Sequence, residues 1–256
     1  MFKPQLAIKG GPMPPADSTR ILVLLATYNE RDNLAPLLTE IHNVLPSADL
    51  LVIDDNSPDG TGRLADELAT DNPRLHVLHR PGKLGVGTAI LAGMRYALEH
   101  DYDLFINMDA DFSHPPRYLP ALLAGMDNHD VMIGSRYVAG GGSVYWPLRR
   151  QLMSRGVNTL VSLLMRLPAR DCSGGYRCYR VSKLRQAQLL ERVRSRGYSF
   201  QEEVLYRCHK AGCTIGETPI LFENRRAGKS KVDVHEALRS LAMIFRIGVP
   251  AFFGLD

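Results

Sequence analysis

The sequence predicts an α/β fold whose mostly parallel sheet is flanked by helices on both faces. Short apolar runs alternate with segments of helical periodicity through the first half of the chain, as strands and helices do when they take turns. The runs are apolar at successive positions, which suits strands buried on both sides. Polar clusters follow the runs, and in open parallel sheets ligands lie beyond the carboxyl ends of the strands.

In chain order, Ile21–Leu25 is the first run, and a polar turn leads from it into a helical pattern from Asn33 through Leu45. Leu50–Ile53 is a second strand and His76–Leu78 a third, before the glycine-rich loop Pro81–Gly87. Ala89, Ala92, Gly93, Tyr96 and Ala97 then sit at helical spacing, and Leu104–Met108 and Val131–Ile133 supply a fourth and fifth strand. The polar clusters at strand ends are Thr27–Glu30, Asp54–Gly60, Asp109–Asp111 and Gly134–Tyr137. Beyond Gly140 the character changes. Trp146–Leu167 interleaves Leu148, Leu152, Leu160, Leu163, Leu164 and Leu167 with Arg149, Arg150, Arg155 and Arg166, a basic amphipathic helix or helix pair. From Arg149 through Arg170 there are five arginines and no acid, which favours an anionic partner or a membrane surface over a merely solvated face. The tail repeats the pattern with Val234, Leu238, Leu241 and Phe245, beside Arg239 and Arg246.

Composition sets the limits. Of 256 residues, 45% are hydrophobic and 23% charged, which excludes disorder and fibre. The net charge of +4 is too small to argue for nucleic acid, and no aromatic-interleaved basic motif supports it. Ile21–Ala26 and Ile247–Leu255, the longest apolar stretches, fall short of the roughly 18 residues a spanning helix needs. The first 19 residues lack the apolar core and cleavage site of a signal peptide and read as a flexible leader. Cys172/Cys178 and Cys208/Cys213 match neither zinc-site nor disulfide spacing, so unbridged thiols in the cytoplasm are expected.

Asp109-Ala110-Asp111 is the most telling cluster. Carboxylates one residue apart at a strand end can hold a divalent cation that also grips phosphate oxygens; the alternative is a loop turn. Asp54 and Asp55 end another strand, where adjacent like charges repel unless a ligand or donors compensate them. Gly85-Val86-Gly87-Thr88 starts a dinucleotide fingerprint, but the third glycine is replaced by Ile90. Gln201-Glu202-Glu203 reads either as a set of sugar-binding side chains or as a plain helix start, where acids are favourable.

Taken together, Thr27-Tyr28-Asn29-Glu30, Asp54-Asp55-Asn56-Ser57-Pro58-Asp59-Gly60-Thr61, Asp109-Ala110-Asp111-Phe112-Ser113-His114-Pro115, Gly134-Ser135-Arg136-Tyr137, Asp171-Cys172-Ser173-Gly174-Gly175-Tyr176-Arg177 and Gly228-Lys229-Ser230-Lys231 resemble the dolichyl-phosphate (polyprenol monophosphate) mannosyltransferases, inverting enzymes of glycosyltransferase family 2 with a GT-A fold. The resemblance runs from about Leu22 to Val232. It implies a glycosyltransferase domain over 20–232 and an amphipathic tail, an interface helix, over 233–256. It implies that Thr27, Tyr28, Glu30, Asp54, Asp55 and Asp109 line the nucleotide pocket, and that Asp109 and Asp111 serve the diphosphate and a Mg2+ or Mn2+ ion. Ser113 stands where some relatives carry Gln as a metal ligand; its shorter side chain admits a bridging water instead. Ala26 replaces a frequent Pro. Asp111, Arg136, Arg150, Arg225 and Lys231 are the implied catalytic set, the four cations binding phosphates of donor and acceptor, with Ser135, Gln201, Glu202 and Glu203 near sugar and acceptor.

The implied reaction moves mannose from GDP-mannose onto a polyprenyl phosphate, on an enzyme held peripherally at the cytoplasmic face of the membrane. Transfer from a UDP-hexose to the same lipid, and a nucleotide-sugar-binding protein without turnover, are the alternatives.

Overall fold

A computed structural model describes residues 19–195, 197, 199–223, 234–253 and 255, with side chains of the last helix described from residue 242. The leader expected over 1–19 lies outside the described residues up to residue 18.

The strands are β1 (Ile21–Thr27), β2 (Asp49–Asp54), β3 (Leu75–His79), β4 (Leu104–Asp109), β5 (Val131–Ser135), β6 (Gly142–Ser143), β7 (Arg177–Arg180), β8 (Ile215–Pro219) and β9 (Leu221–Phe222). The helices are α1 (Arg31–Val44), α2 (Thr61–Thr70), α3 (Val86–Glu99), α4 (Leu119–Gly125), α5 (Leu148–Leu164), α6 (Val181–Gln186), α7 (Leu189–Arg192), α8 (Phe200–Lys210) and α9 (Val234–Phe253). The main sheet has the order β3-β2-β1-β4-β7-β5-β8. All of its pairings are parallel except those of β7, which runs antiparallel between β4 and β5. Chain order reverses direction at β1, flanked by β2 and β4, which opens a crevice at the carboxyl ends of β1 and β4.

The continuous apolar runs have the expected consequence. Leu22 and Leu24 of β1 pack into one core with Ile90 and Met94 of α3 and Val204 of α8. Val23 and Leu25 turn the other way, into a core with Leu34, Leu37 and Ile41 of α1 and Leu122 of α4. Helix α3 lies close against the sheet because Gly93 has no side chain: a Cβ there would sit 2.8 Å from Leu24 and 3.1 Å from Phe105.

Periodicity found the five strands β1 to β5 and the helices α1 and α3, and missed α2, β7 and β8. The run Arg177–Arg180 places an arginine on either side of Cys178 and Tyr179, too short and too charged to stand out, and its place in the sheet is fixed by pairing across a long sequence separation. Within the segment 146–167, Leu148–Leu164 forms the single helix α5, not a pair. Helix α9 packs against it so closely that a Cβ on Gly248 would meet Leu164 at 2.9 Å.

Candidate active site

The turn after β1 is stitched to the turn after β2. Asn29 N–H donates to Ser57 Oγ (3.0 Å) and Glu30 N–H to Thr61 Oγ1 (2.9 Å). Asp54 is buried and fully occupied: Thr27 Oγ1 donates to it at 3.0 Å, Ser57 N–H at 2.9 Å and Ser57 Oγ at 2.5 Å. Asp55 is buried against the Arg80 guanidinium and accepts Leu84 N–H at 3.3 Å. The repulsion between adjacent aspartates is thus relieved by donors within the chain. Arg80 went unnoticed in the sequence, although it stands just beyond β3, beside the end of β2.

The Asp109–Asp111 turn is held from beneath. Asp109 N–H donates to His114 Nδ1 at 3.0 Å, and the same nitrogen lies 3.7 Å from the Asp109 carboxylate. The His114 ring stacks on Tyr176 with centroids 4.9 Å apart. Ser113 N–H donates to Asp111 Oδ1 at 3.0 Å, and Ser113 Oγ lies against the same oxygen. Between the two acids, Phe112 has φ +66°, a left-handed conformation that is costly for a bulky residue and is kept where the surroundings enforce it. Asp109 leaves 44% of its side chain exposed, whereas Asp111 is buried.

The opposite wall comes from the second half of the chain. Arg136, at the end of β5, is clamped by Asp171: Nε donates to Oδ2 and Nη2 to Oδ1, both at 2.7 Å. Asp171 is fully buried and also accepts Arg136 N–H (3.0 Å) and Gly174 N–H (2.9 Å). Burial works against its charge, but the bonds and charge of Arg136 outweigh burial and hold the carboxyl below its ordinary range. Arg150, exposed on α5, lies 3.8 Å from the centre of the Trp146 ring, a cation–π contact. Arg177, wholly buried, donates to Gln201 O (2.7 Å) and Cys172 O (2.5 Å), tying the 171–175 loop to the start of α8.

These elements enclose a cleft of about 470 Å³ whose lining includes Tyr28, Glu30, Asp109, Asp111, Arg136, Arg150, Gln201 and Glu202. Glu202 is 4% exposed, its Oε2 has no hydrogen-bond partner among the described residues, and burial pushes its carboxyl up to about 7. Trp146, also in the lining, has a buried indole N–H without a partner among the described residues. Two unsatisfied polar atoms in one cleft wall suit a ligand rich in oxygen.

The other expected site residues are not in this lining. Thr27, Asp54, Asp55 and Ser113 sit just behind it as supports. Ser135 is fully buried, its Oγ accepting Tyr137 N–H, and Glu203 is 1% exposed, with its carboxylate taken by Arg194 N–H, Ser195 N–H and the Arg207 guanidinium. Neither lines the cleft. Arg225 and Lys231 lie outside the described residues. Besides Arg80, sequence reasoning missed the roles of Asp171, Arg177 and Trp146; Asp171, the acid that ends the arginine run, was the available signal. Cys172 and Cys178 are buried, and burial pushes the Cys172 thiol up to about 12, far from nucleophilic use.

The donor set at the acidic end suits a hard cation. Two carboxylates with a hydroxyl beside them, and no cluster of three His, Cys, Asp or Glu side chains arranged to hold an ion among the described residues, fit an ion that takes its remaining oxygens from phosphate and water, as Mg2+ does.

A model of the family described as Glycosyl transferase family 2 matches residues 22–187. The undecaprenyl-phosphate mannosyltransferase of Micrococcus luteus is 40% identical over 91% of this chain and 95% of its own. The polyprenol monophosphomannose synthase of Mycolicibacterium smegmatis is 43% identical over 87% of this chain and 86% of its own. Among solved structures, a mannosyltransferase of Pyrobaculum calidifontis in complex with GDP-Man and Mn2+ superposes with TM-score 0.57 at 16% identity, covering 97% of this chain and 71% of that one. Glucosyl-3-phosphoglycerate synthase of Mycobacterium tuberculosis, solved with Mn2+, UDP and phosphoglyceric acid, gives 0.58 at 16% identity over 93% and 78%. At such identity the likeness is one of fold, and it agrees with the expected GT-A architecture.

Proposed function

The chain belongs to glycosyl transferase family 2, and we propose that it transfers mannose from GDP-mannose to a polyprenyl monophosphate, inverting the anomeric centre. The observation that carries this reading is one cleft lined by Asp109 and Asp111 together with Arg136 and Arg150, in a chain whose near full-length relatives are named for mannose and polyprenyl phosphate.

The chemistry follows from charge. The donor's leaving group is a diphosphate, and a divalent cation held by Asp109 and Asp111 would neutralise it as the glycosidic bond breaks. The acceptor is a phosphate monoester, anionic near neutral pH, so it brings its own nucleophilic oxygen and needs no general base. Holding two anions in one cleft is the difficulty. Arg150 presents a guanidinium stacked on Trp146, and Arg136 adds charge partly balanced by Asp171; Arg225 and Lys231 are proposed to complete the set. Glu202, whose carboxyl burial raises to about 7, can donate as well as accept a hydrogen bond when protonated and is proposed to orient sugar hydroxyls with Gln201. Tyr28 and Glu30 take the nucleoside end, with Asp54 and Asp55 fixing the turns that carry them.

The acceptor's lipid tail calls for a surface. Leu148, Leu152, Met153 and Leu163 of α5 and Phe245, Val249, Phe252 and Phe253 of α9 are exposed apolar side chains on two helices packed together. No helix of the described residues is long and apolar enough to cross a membrane. Peripheral association at the cytoplasmic face is the proposed arrangement, the exposed side chains entering the headgroup region.

The deciding experiment is a donor screen with GDP-mannose, UDP-glucose and UDP-GlcNAc, each with Mg2+ or Mn2+ and a short polyprenyl phosphate. Lipid-linked mannose is expected from GDP-mannose, with Asp111→Asn lowering turnover by about 100-fold or more. Transfer from a UDP-sugar alone, or tight donor binding with no transfer at all, overturns the reading.

A further inference from the structure

Away from the cleft, a second hollow of about 590 Å³ lies between the α6–α7 turn, the C-terminal half of α8 and α9. Among the described residues it shares no lining residue with the cleft, and every charged one in its lining is a cation: Arg192, Arg207, Lys210 and Arg246. A hollow of about 480 Å³ adjoins it through Arg207, Arg246 and Ile247, adding Arg194 and one acid, Glu203. That acid is already committed, to two backbone N–H groups and to Arg207 at 2.9 and 2.5 Å.

Helix chemistry explains part of this cluster. Arg207 and Lys210 stand in the last turn of α8, where cations offset the helix dipole. It does not account for Arg192 of α7 and Arg246 of α9, two exposed cations lining the same concavity, whose mutual repulsion an anion between them would relieve. A second, independent feature is Tyr206, which lines the hollow, is 7% exposed and has a buried hydroxyl without a hydrogen-bond partner among the described residues.

We propose that this hollow is a second anion site, binding a phosphate group between Arg192, Lys210 and Arg246. Guanidinium forks match the oxygens of a phosphate, and Tyr206 adds a neutral donor to the same wall. One chemistry has two sources here. The phosphate belongs either to the headgroup of an anionic phospholipid, met as α9 settles on a membrane, or to a dissolved phosphate ester. The site stands whether or not the cleft transfers mannose.

The test uses the full chain and the double variant Arg192→Gln/Arg246→Gln, both side chains being exposed. Equilibrium dialysis with labelled inorganic phosphate is expected to show about one phosphate more per wild-type chain than per variant, or at least tenfold weaker binding in the variant. Co-sedimentation with phosphatidylglycerol and phosphatidylcholine vesicles separates the sources: a loss restricted to phosphatidylglycerol assigns the site to a headgroup, and unchanged sedimentation with lost phosphate assigns it to a dissolved ester. The charge-keeping Arg246→Lys should retain most of the binding, which guards against a folding artefact, and mannosyl transfer to a short soluble acceptor should be unchanged in all variants. Equal phosphate stoichiometry and affinity in wild type and double variant, with equal sedimentation on both vesicles, overturns the proposal.

Discussion

The strand-end wall of the cleft and the helical face made by α5 and α9 are built on opposite principles. At the strand ends, charge is buried and partnered: Asp54 by Thr27 and Ser57, Asp55 by Arg80, Arg136 by Asp171. On the helical face, apolar side chains stand in solvent, Leu152 at 60% exposure and Phe253 at 68%, with arginines between them. The first region spends desolvation to fix geometry, as a site must when charges have to meet a small ligand in one arrangement. The second leaves its apolar area unburied, which is unfavourable for an isolated domain and useful only to one that meets another surface.

The largest effect should come from breaking the most buried pair. Asp171→Ala leaves the Arg136 guanidinium uncompensated in a site where both are buried, and a broken buried pair costs about 3–5 kcal/mol. Urea unfolding should show that loss. Replacing both partners, as Asp171→Ala/Arg136→Met, should recover much of the stability and none of the transfer activity. Recovery of activity along with stability would make Arg136 a structural residue and take it out of the phosphate-binding set.

How much of this was legible follows from the same contrast. Strand ends are local: Asp109 and Asp111 could be placed because an apolar run ends just before them, and the run itself says which end carries the ligand. Their partners are not local. Asp171 lies 35 residues from Arg136 and Arg80 lies 25 from Asp55, and nothing in periodicity links such pairs. Glu202 and Glu203 show the limit most sharply. As neighbours in one acidic triplet they are indistinguishable in the sequence, yet the turn of the helix sends Glu202 to the cleft and Glu203 to Arg207. On α5, the arginine and leucine pattern was visible, but only packing against α9 makes the two helices one face.

A smaller effect, with a pH signature, is expected at Glu202. Its folded carboxyl titrates near 7 against an ordinary value of 4.5, burial being the main cause, opposed by its own backbone hydrogen bond and by Arg177 and Arg136 and helped by Asp171. The folded state therefore binds this proton more tightly than the unfolded chain does. The stability it contributes is fully present below about pH 4.5 and is lost as pH rises to about 7, by roughly 3 kcal/mol. Glu202→Gln is neutral throughout, so its stability relative to wild type should rise across that window and level off above it. If Gln also keeps transfer while Ala does not, the side chain acts as a hydrogen-bonding neutral group; a gap that stays flat with pH would show Glu202 to be ionised in the fold.

The smallest effect tests the helical face directly. Leu152→Glu and Phe253→Glu each put a carboxylate on a side chain already in solvent, so thermal stability should not change. Partial insertion of one such side chain into a headgroup layer is worth on the order of 1–2 kcal/mol, so each variant should bind vesicles about tenfold more weakly. Because that term is apolar, the loss should appear on neutral as well as anionic lipid, unlike the charge-dependent loss expected from Arg192→Gln/Arg246→Gln. Transfer to a water-soluble short acceptor should be untouched, and transfer to a long-chain acceptor in vesicles should fall in step with binding. Vesicle binding unchanged in both variants would mean that α5 and α9 cover their apolar side chains with something other than a membrane, and the contrast between the fixed wall and the surface-seeking face would then need a protein partner to explain it.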